Sequence, residues 1–315
     1  MEYLILVVSL VGIVFGADYL VAGAVAIAKK LRVSDFVIGA AIVGVGTSMP
    51  EFVVSFMGAL SGNSNVAIGN VVGSNIFNVF GILGITALFF PIAVDRKNMK
   101  FEIPLCIGVS ILLTVLALDF FSGTSAAIGR IDGMLLLVVF ALFMWYSFAR
   151  DRKHAATTAP GPEAAGPLWI AILKVFGGLA LLITSCDFFV DNAVLIAKSF
   201  GLSDAFISLT LIACGTSLPE LAASVAAAVK KNTDVALGNI IGSNIFNITL
   251  ILGLSSQAMP LTSPDITLVD YCVMIAAATL PLIMGLRGRM GRVSGLFMIA
   301  CFIMYNIYLV TNQIS

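Results

Sequence analysis

Two glutamates, Glu51 and Glu220, lie deep inside long apolar stretches of the chain. A carboxylate in hydrocarbon is expensive, and by default it marks an ion pathway. An ion pair with a buried cation is the structural alternative. Its one candidate, Lys174, sits near the end of a different apolar run. Each glutamate directly follows a proline, within GTSMPE at 46–51 and GTSLPE at 215–220. Pro50 and Pro219 carry no N–H, and each ring crowds the carbonyl one turn back. Gly46 and Gly215 stand at that position and weaken the helix further. Carbonyls near Gly46–Thr47 and Gly215–Thr216 should therefore leave the helical ladder, which hydrocarbon tolerates only where backbone lines a cavity. Thr47 shares a helix face with Glu51, four residues on, as Thr216 does with Glu220. Each motif so presents a carboxylate, hydroxyls and freed carbonyls. These are hard oxygen donors of the kind calcium gathers in sets of about 6–8, and sodium accepts a similar set.

A second motif, GNVVGSNIFN at 69–78 and GNIIGSNIFN at 238–247, follows each of the first. Asn70, Ser74 and Asn78 recur every four residues and form one polar stripe on a helix; Asn239, Ser243 and Asn247 repeat it. Ser74, Asn78, Ser243 and Asn247 are candidate oxygen ligands. Asn70 and Asn239 fit interhelical hydrogen bonding better. Gly69 with Gly73 and Gly238 with Gly242 are spaced for close helix approach, a packing role that can coexist with the stripe.

The elements that must hold these residues are membrane spans. The chain is 60% hydrophobic and 11% charged over 315 residues, whereas a soluble domain carries about 25% charged residues. Apolar runs near 3–28, 36–60, 66–90, 101–118, 131–149, 168–197, 205–229, 235–259, 267–286 and 293–311 give ten helices, most meeting the about 20 residues a span needs. The first is read as a retained span, since it lacks the basic start of a signal peptide. A net charge of zero leaves no basic field for nucleic acid. The five cysteines lie in apolar runs without CxxC spacing and read as buried thiols, and His154 reads as a loop residue. Arginines and lysines fall on one side of the membrane by 14 to two, setting aside Lys174, which places both termini outside the cytoplasm.

The two motif pairs match at a constant offset of 169 residues, which also pairs Asp18 with Asp187 and Pro91 with Pro260. Five spans per copy is an odd number, so the second copy must be inverted. The expected fold is an all-α membrane protein of ten transmembrane helices in two inverted five-helix repeats. Residues 1–149 form the first repeat, 150–167 a cytoplasmic linker and 168–315 the second. Such transporters bind their substrate near the midplane. The long first and sixth spans must tilt and are read as the moving pair, with Asp18 and Asp187 in structural or water-contacting roles.

GTSxPE and GSNIFN in both halves resemble the two alpha-repeats of the sodium/calcium exchanger family, within the calcium/cation antiporters. The likeness is to the prokaryotic type without a regulatory loop domain. The resemblance implies four cation positions among spans two, three, seven and eight. Glu51, Glu220 and the carbonyls of Thr47 and Thr216 would hold calcium. Ser48, Ser74, Ser217, Ser243 and the backbone oxygens of Gly44 and Ala213 would complete the flanking sodium positions. It further implies exchange of about three sodium ions per calcium, by alternating access. Asn247 stands where potassium-dependent relatives carry Asp, which argues against potassium cotransport.

The expected function is therefore sodium/calcium antiport in the cell membrane. The ions are cargo, and no cofactor or obligatory protein partner is implied. A calcium/proton or other divalent cation/proton antiporter is the alternative. A channel would not need the inverted repeat, and an enzyme would need a nucleophile, base or metal cluster that the sequence does not offer. Protons should compete with calcium for the two carboxylates.

Overall fold

In a computed structural model, the description covers residues 2–31, 33–118, 127–155, 167–199, 215–262, 266–286 and 288–314. They are almost entirely helical: α1 Glu2–Leu31, α2 Asp35–Thr47, α3 Met49–Leu60, α4 Ser64–Phe89, α5 Glu102–Ala117, α6 Arg130–Ala155, α7 Leu168–Ser199, α8 Leu218–Val229, α9 Thr233–Ala258, α10 Leu268–Gly285 and α11 Arg292–Ile314. Among the described residues eight helices are long and apolar enough to cross a membrane, and a ninth if α2 and α3, bent by 51° at Ser48, count as one span. The first half of the span read at 205–229 lies outside the described residues, leaving α8.

Two departures from an all-helical reading are local. β1 (Ile92–Ala93) pairs antiparallel with β2 (Arg289–Met290), and Ile128 bridges Leu261. Pro91 and the β-branched residues after it favour extended backbone between spans. α6 runs on to Ala155, so the segment read as a linker begins as helix, and His154 belongs to it. Cys106 and Cys186 are buried as expected, whereas Cys272 is exposed and Cys301 partly so; Cys214 lies outside the described residues.

The chain divides into two compact units, each drawing on both halves of the sequence: Met1–Pro50 with Met144–Asn239, and Glu51–Phe143 with Ile240–Ser315. In the first unit α1 packs along α7 at backbone distance. A Cβ on Gly16 would sit 2.7 Å from the Leu182 nitrogen, and one on Gly178 would sit 2.6 Å from that of Leu20. Only glycine allows this, and the contact lets Ala17, Leu20, Val21 and Ala24 bury against Val175, Leu182 and Ala223. The opposite face of α1 exposes Leu4, Val7, Val8, Val11 and Val14, so the helix is apolar all round, as lipid requires. Gly238 meets the backbone carbonyl of Phe36. This glycine therefore seats α9 on α2, while among the described residues Gly69 meets a single side chain and Gly73 meets nothing within 4 Å. Asp18, read in a structural or water-contacting role, is exposed and pairs with Lys230 (Nζ–Oδ1 2.6 Å).

In the second unit Thr267 and Asp270 form a capping box at the start of α10, and Asp270 Oδ1 accepts from the Tyr305 hydroxyl of α11 at 2.7 Å. α4 and α9 are the most deeply enclosed spans. Each contains a π-helical segment, Asn78–Leu83 and Asn247–Ile251, and α2 holds a third at Gly39–Gly44. Such segments insert one residue per turn and often stand at functional sites.

Candidate functional site

Both proline motifs break their helix at the same residue. Ser48 (φ −81°, ψ 11°) ends α2, and Ser217 (φ −93°, ψ 8°) precedes α8. Neither following proline has an N–H to continue the ladder, so the break expected from sequence falls just after Thr47 and Thr216. Gly44 closes the π segment of α2, and its carbonyl accepts from the Ser48 N–H at 3.1 Å. Ala213 lies outside the described residues.

In the first unit the break at Ser48 meets the glutamate of α8. Ser48 Oγ donates to Glu220 Oε1 at 2.7 Å, a short, charge-assisted bond. Glu220 is 0% exposed, and its Oε2 meets no hydrogen-bond partner among the described residues. The buried hydroxyl oxygen of Thr216 is in the same position. Thr47 Oγ1 lies 3.0 Å from the Val43 carbonyl and 3.2 Å from Asn239 Oδ1. Asn239 Nδ2 then donates to the Glu220 carbonyl (3.2 Å) and to Ser224 Oγ (2.8 Å). One amide thus ties the threonine of the first motif to the glutamate-bearing turn of the second.

The second unit repeats the device. Asn70 Nδ2 donates to the carbonyl of the wholly buried Glu51 (3.2 Å) and to Ser55 Oγ (2.9 Å). Asn70 and Asn239 therefore spend their amides on helix-to-helix bonds, as expected. Ser74 and Ser243 are buried one turn before Asn78 and Asn247. Asn78 Nδ2 donates to Asn244 Oδ1 at 3.0 Å, and Asn247 Nδ2 to Asn75 Oδ1 at 3.1 Å. The Oδ1 atoms of Asn78 and Asn247 are buried without a hydrogen-bond partner among the described residues. A buried amide oxygen left so is costly, and a cation is one partner able to satisfy it.

Four residues in these networks escaped the sequence reading: Ser55, Ser224, Asn75 and Asn244. All four recur at the 169-residue offset, so the repeat itself carried the signal. The period-of-four stripe hid the asparagines, since Asn75 and Asn244 stand one residue, about 100° of helix, from Ser74 and Ser243. The π segments had no signal in residue type.

The family profile described as "Sodium/calcium exchanger protein" matches residues 1–149 and 170–311. "Putative antiporter CaxA" of Alkalimonas amylolytica is 41% identical over 97% of both chains. "Sodium/calcium exchanger MaX1" of Methanosarcina acetivorans is 33% identical over 90% of both. A structure of the sodium-calcium exchanger NCX_Mj, soaked with zero Na+ and Ca2+, superposes with a TM-score of 0.84 at 30% identity, covering 98% of each chain.

Proposed function

The chain belongs to the sodium/calcium exchanger family, and on that premise we propose that it is a secondary antiporter exchanging sodium for calcium across the cell membrane by alternating access. The observation that carries this reading is Glu220. It is a carboxylate buried at a helix break, with one oxygen held by Ser48 and the other without a hydrogen-bond partner among the described residues. Glu51 and Glu220 supply the negative charge for calcium, with the Thr47 and Thr216 carbonyls. Ser48, Ser74, Ser217, Ser243 and the backbone oxygens of Gly44 and Ala213 complete the sodium positions, and Asn78 and Asn247 add amide oxygens to the calcium-binding centre. Ten spans in two inverted repeats, 1–149 and 168–315 around a linker at 150–167, with both termini outside, frame the site. The offset of 169 residues and the basic-residue asymmetry support that frame.

Charge counting gives the coupling. Two uncompensated carboxylates are too costly to occlude, whereas one calcium or two sodium ions neutralise them. The loaded protein changes face and the empty one resists, which yields exchange and prevents leak. A third sodium follows from the family.

Radiolabelled calcium uptake into liposomes loaded with sodium tests this. Uptake collapses when choline replaces sodium, and Glu51→Gln abolishes it. Uptake that survives choline and follows a proton gradient would establish the calcium/proton alternative, and exchange retained in Glu51→Gln would refute the site.

A further inference from the structure

The asparagines flanking the proposed ligands form a closed exchange between α4 and α9. Asn75 Nδ2 donates to the backbone carbonyl of Asn244, and Asn244 Nδ2 to the backbone carbonyl of Asn75, both at 3.2 Å. A carbonyl can only accept, so each of these amides has its NH2 end fixed and its Oδ1 end turned the other way. Asn244 also hydrogen-bonds the Cys106 side chain. The fixed Oδ1 of Asn244 faces Asn78 Nδ2 at 3.0 Å, and that of Asn75 faces Asn247 Nδ2 at 3.1 Å. Asn78 and Asn247 must therefore donate there. An asparagine that donates on one side presents its oxygen on the other, and those are the two buried Oδ1 atoms without a partner among the described residues.

We infer that Asn75 and Asn244 are positioning residues: they lock the amides of Asn78 and Asn247 with the oxygen, never the NH2, offered to the transported cation. An amide alone has two orientations of nearly equal shape, and a half-turn would replace a cation ligand by a donor that repels it. The backbone carbonyls of residues 75 and 244 remove that choice through two hydrogen bonds in series. The lock also bears on selectivity. An Asp at 78 or 247 would set a carboxylate oxygen against a fixed Oδ1, acceptor to acceptor. A carboxylate at either position is therefore disfavoured while its partner asparagine stays. This inference rests on the proposed cation site.

The alternative is that Asn75 and Asn244 only join two helices. Equilibrium binding of radiolabelled calcium to the purified full chain, without sodium, separates the two through a double-mutant cycle. Asn244→Ala should weaken binding about 10–100-fold, the usual effect of removing a residue that orients a ligand. Asn78→Asp, which has two equivalent oxygens and needs no orienting, should then restore binding. Its gain in the Asn244→Ala background should exceed its effect in the native background at least about tenfold. A role confined to helix joining predicts the same effect of Asn78→Asp in both backgrounds, and that result overturns the lock, as does unchanged binding in Asn244→Ala. Asn75→Ala with Asn247→Asp is the mirror cycle, and it decides the matter should Asn244→Ala fail to fold. A native chain that binds neither calcium nor sodium overturns the functional reading itself, a failure visible before any variant is made.

Discussion

Glu220→Gln isolates charge from shape. The glutamine keeps an Oε1 where Ser48 Oγ donates at 2.7 Å, and the site is wholly buried, so packing and that hydrogen bond survive. What changes is the charge to be neutralised, from two negative units to one. With calcium bound, the variant must occlude one positive unit. An unneutralised charge at the centre of a membrane costs about 2.5–3.5 kcal/mol on insertion scales. At about 1.36 kcal/mol per factor of ten, calcium exchange should slow by about 70–400-fold. A single sodium now balances the site, so sodium-for-sodium exchange should persist. In proteoliposomes the assay pairs sodium-driven uptake of radiolabelled calcium with counterflow of radiolabelled sodium. Calcium exchange within about tenfold of native would show that charge balance does not govern occlusion. Loss of both activities in a variant that still unfolds cooperatively would show that Glu220 acts through something other than its charge.

Calcium uptake should fall as the pH is lowered from about 7.5 to 5.5, since a protonated carboxyl gives up an acceptor site and its charge; uptake that is flat or rising over that range would contradict the ligand assignment. Asn239→Ala removes contacts to Glu220, Ser224 and Thr47, whereas Asn70→Ala removes those to Glu51 and Ser55. At about 1 kcal/mol each, the first should cost about 3 kcal/mol and the second about 2, and thermal unfolding in detergent should order them so. Gly178→Ala places a Cβ 2.6 Å from the Leu20 backbone, while neighbouring Gly177 has nothing within 4 Å among the described residues. The first should lose about 1–3 kcal/mol through overpacking and the second nothing, so equal thermal midpoints would refute the α1–α7 contact.

Much of this architecture was legible in residue type and spacing. Apolar run lengths located the helices because lipid demands continuous backbone pairing. Pro50 and Pro219 located the breaks because their chemistry forbids a ladder bond. The stripe left Asn70 and Asn239 between ligation and interhelical bonding, and the fold uses their amides for the second. Other features depend on tertiary context. The π segments beginning at Asn78 and Asn247 use ordinary apolar residues. Lys230 reaches Asp18 across 212 residues of chain, which no local pattern encodes. GxxxG spacing gave a motif without its partner: of the two leading glycines, Gly238 is pressed to a backbone, and among the described residues Gly69 meets only the tip of Ile266.

The asparagine exchange also bears on the repeat. Asn75 and Asn244 are separated by 169 residues, the repeat offset, and each gives the other the same bond at the same length. A contact in which i meets j as j meets i lies on a local two-fold axis. Asn78 to Asn244 and Asn247 to Asn75 are the next pair related by that axis. Equivalent residues placed around such an axis are what a two-fold pair of repeats produces. The exchange has a chemical consequence: Asn78 is oriented from the second copy and Asn247 from the first. Each half therefore supplies the other's lock as well as its own ligand, and neither half can orient its amide oxygen alone.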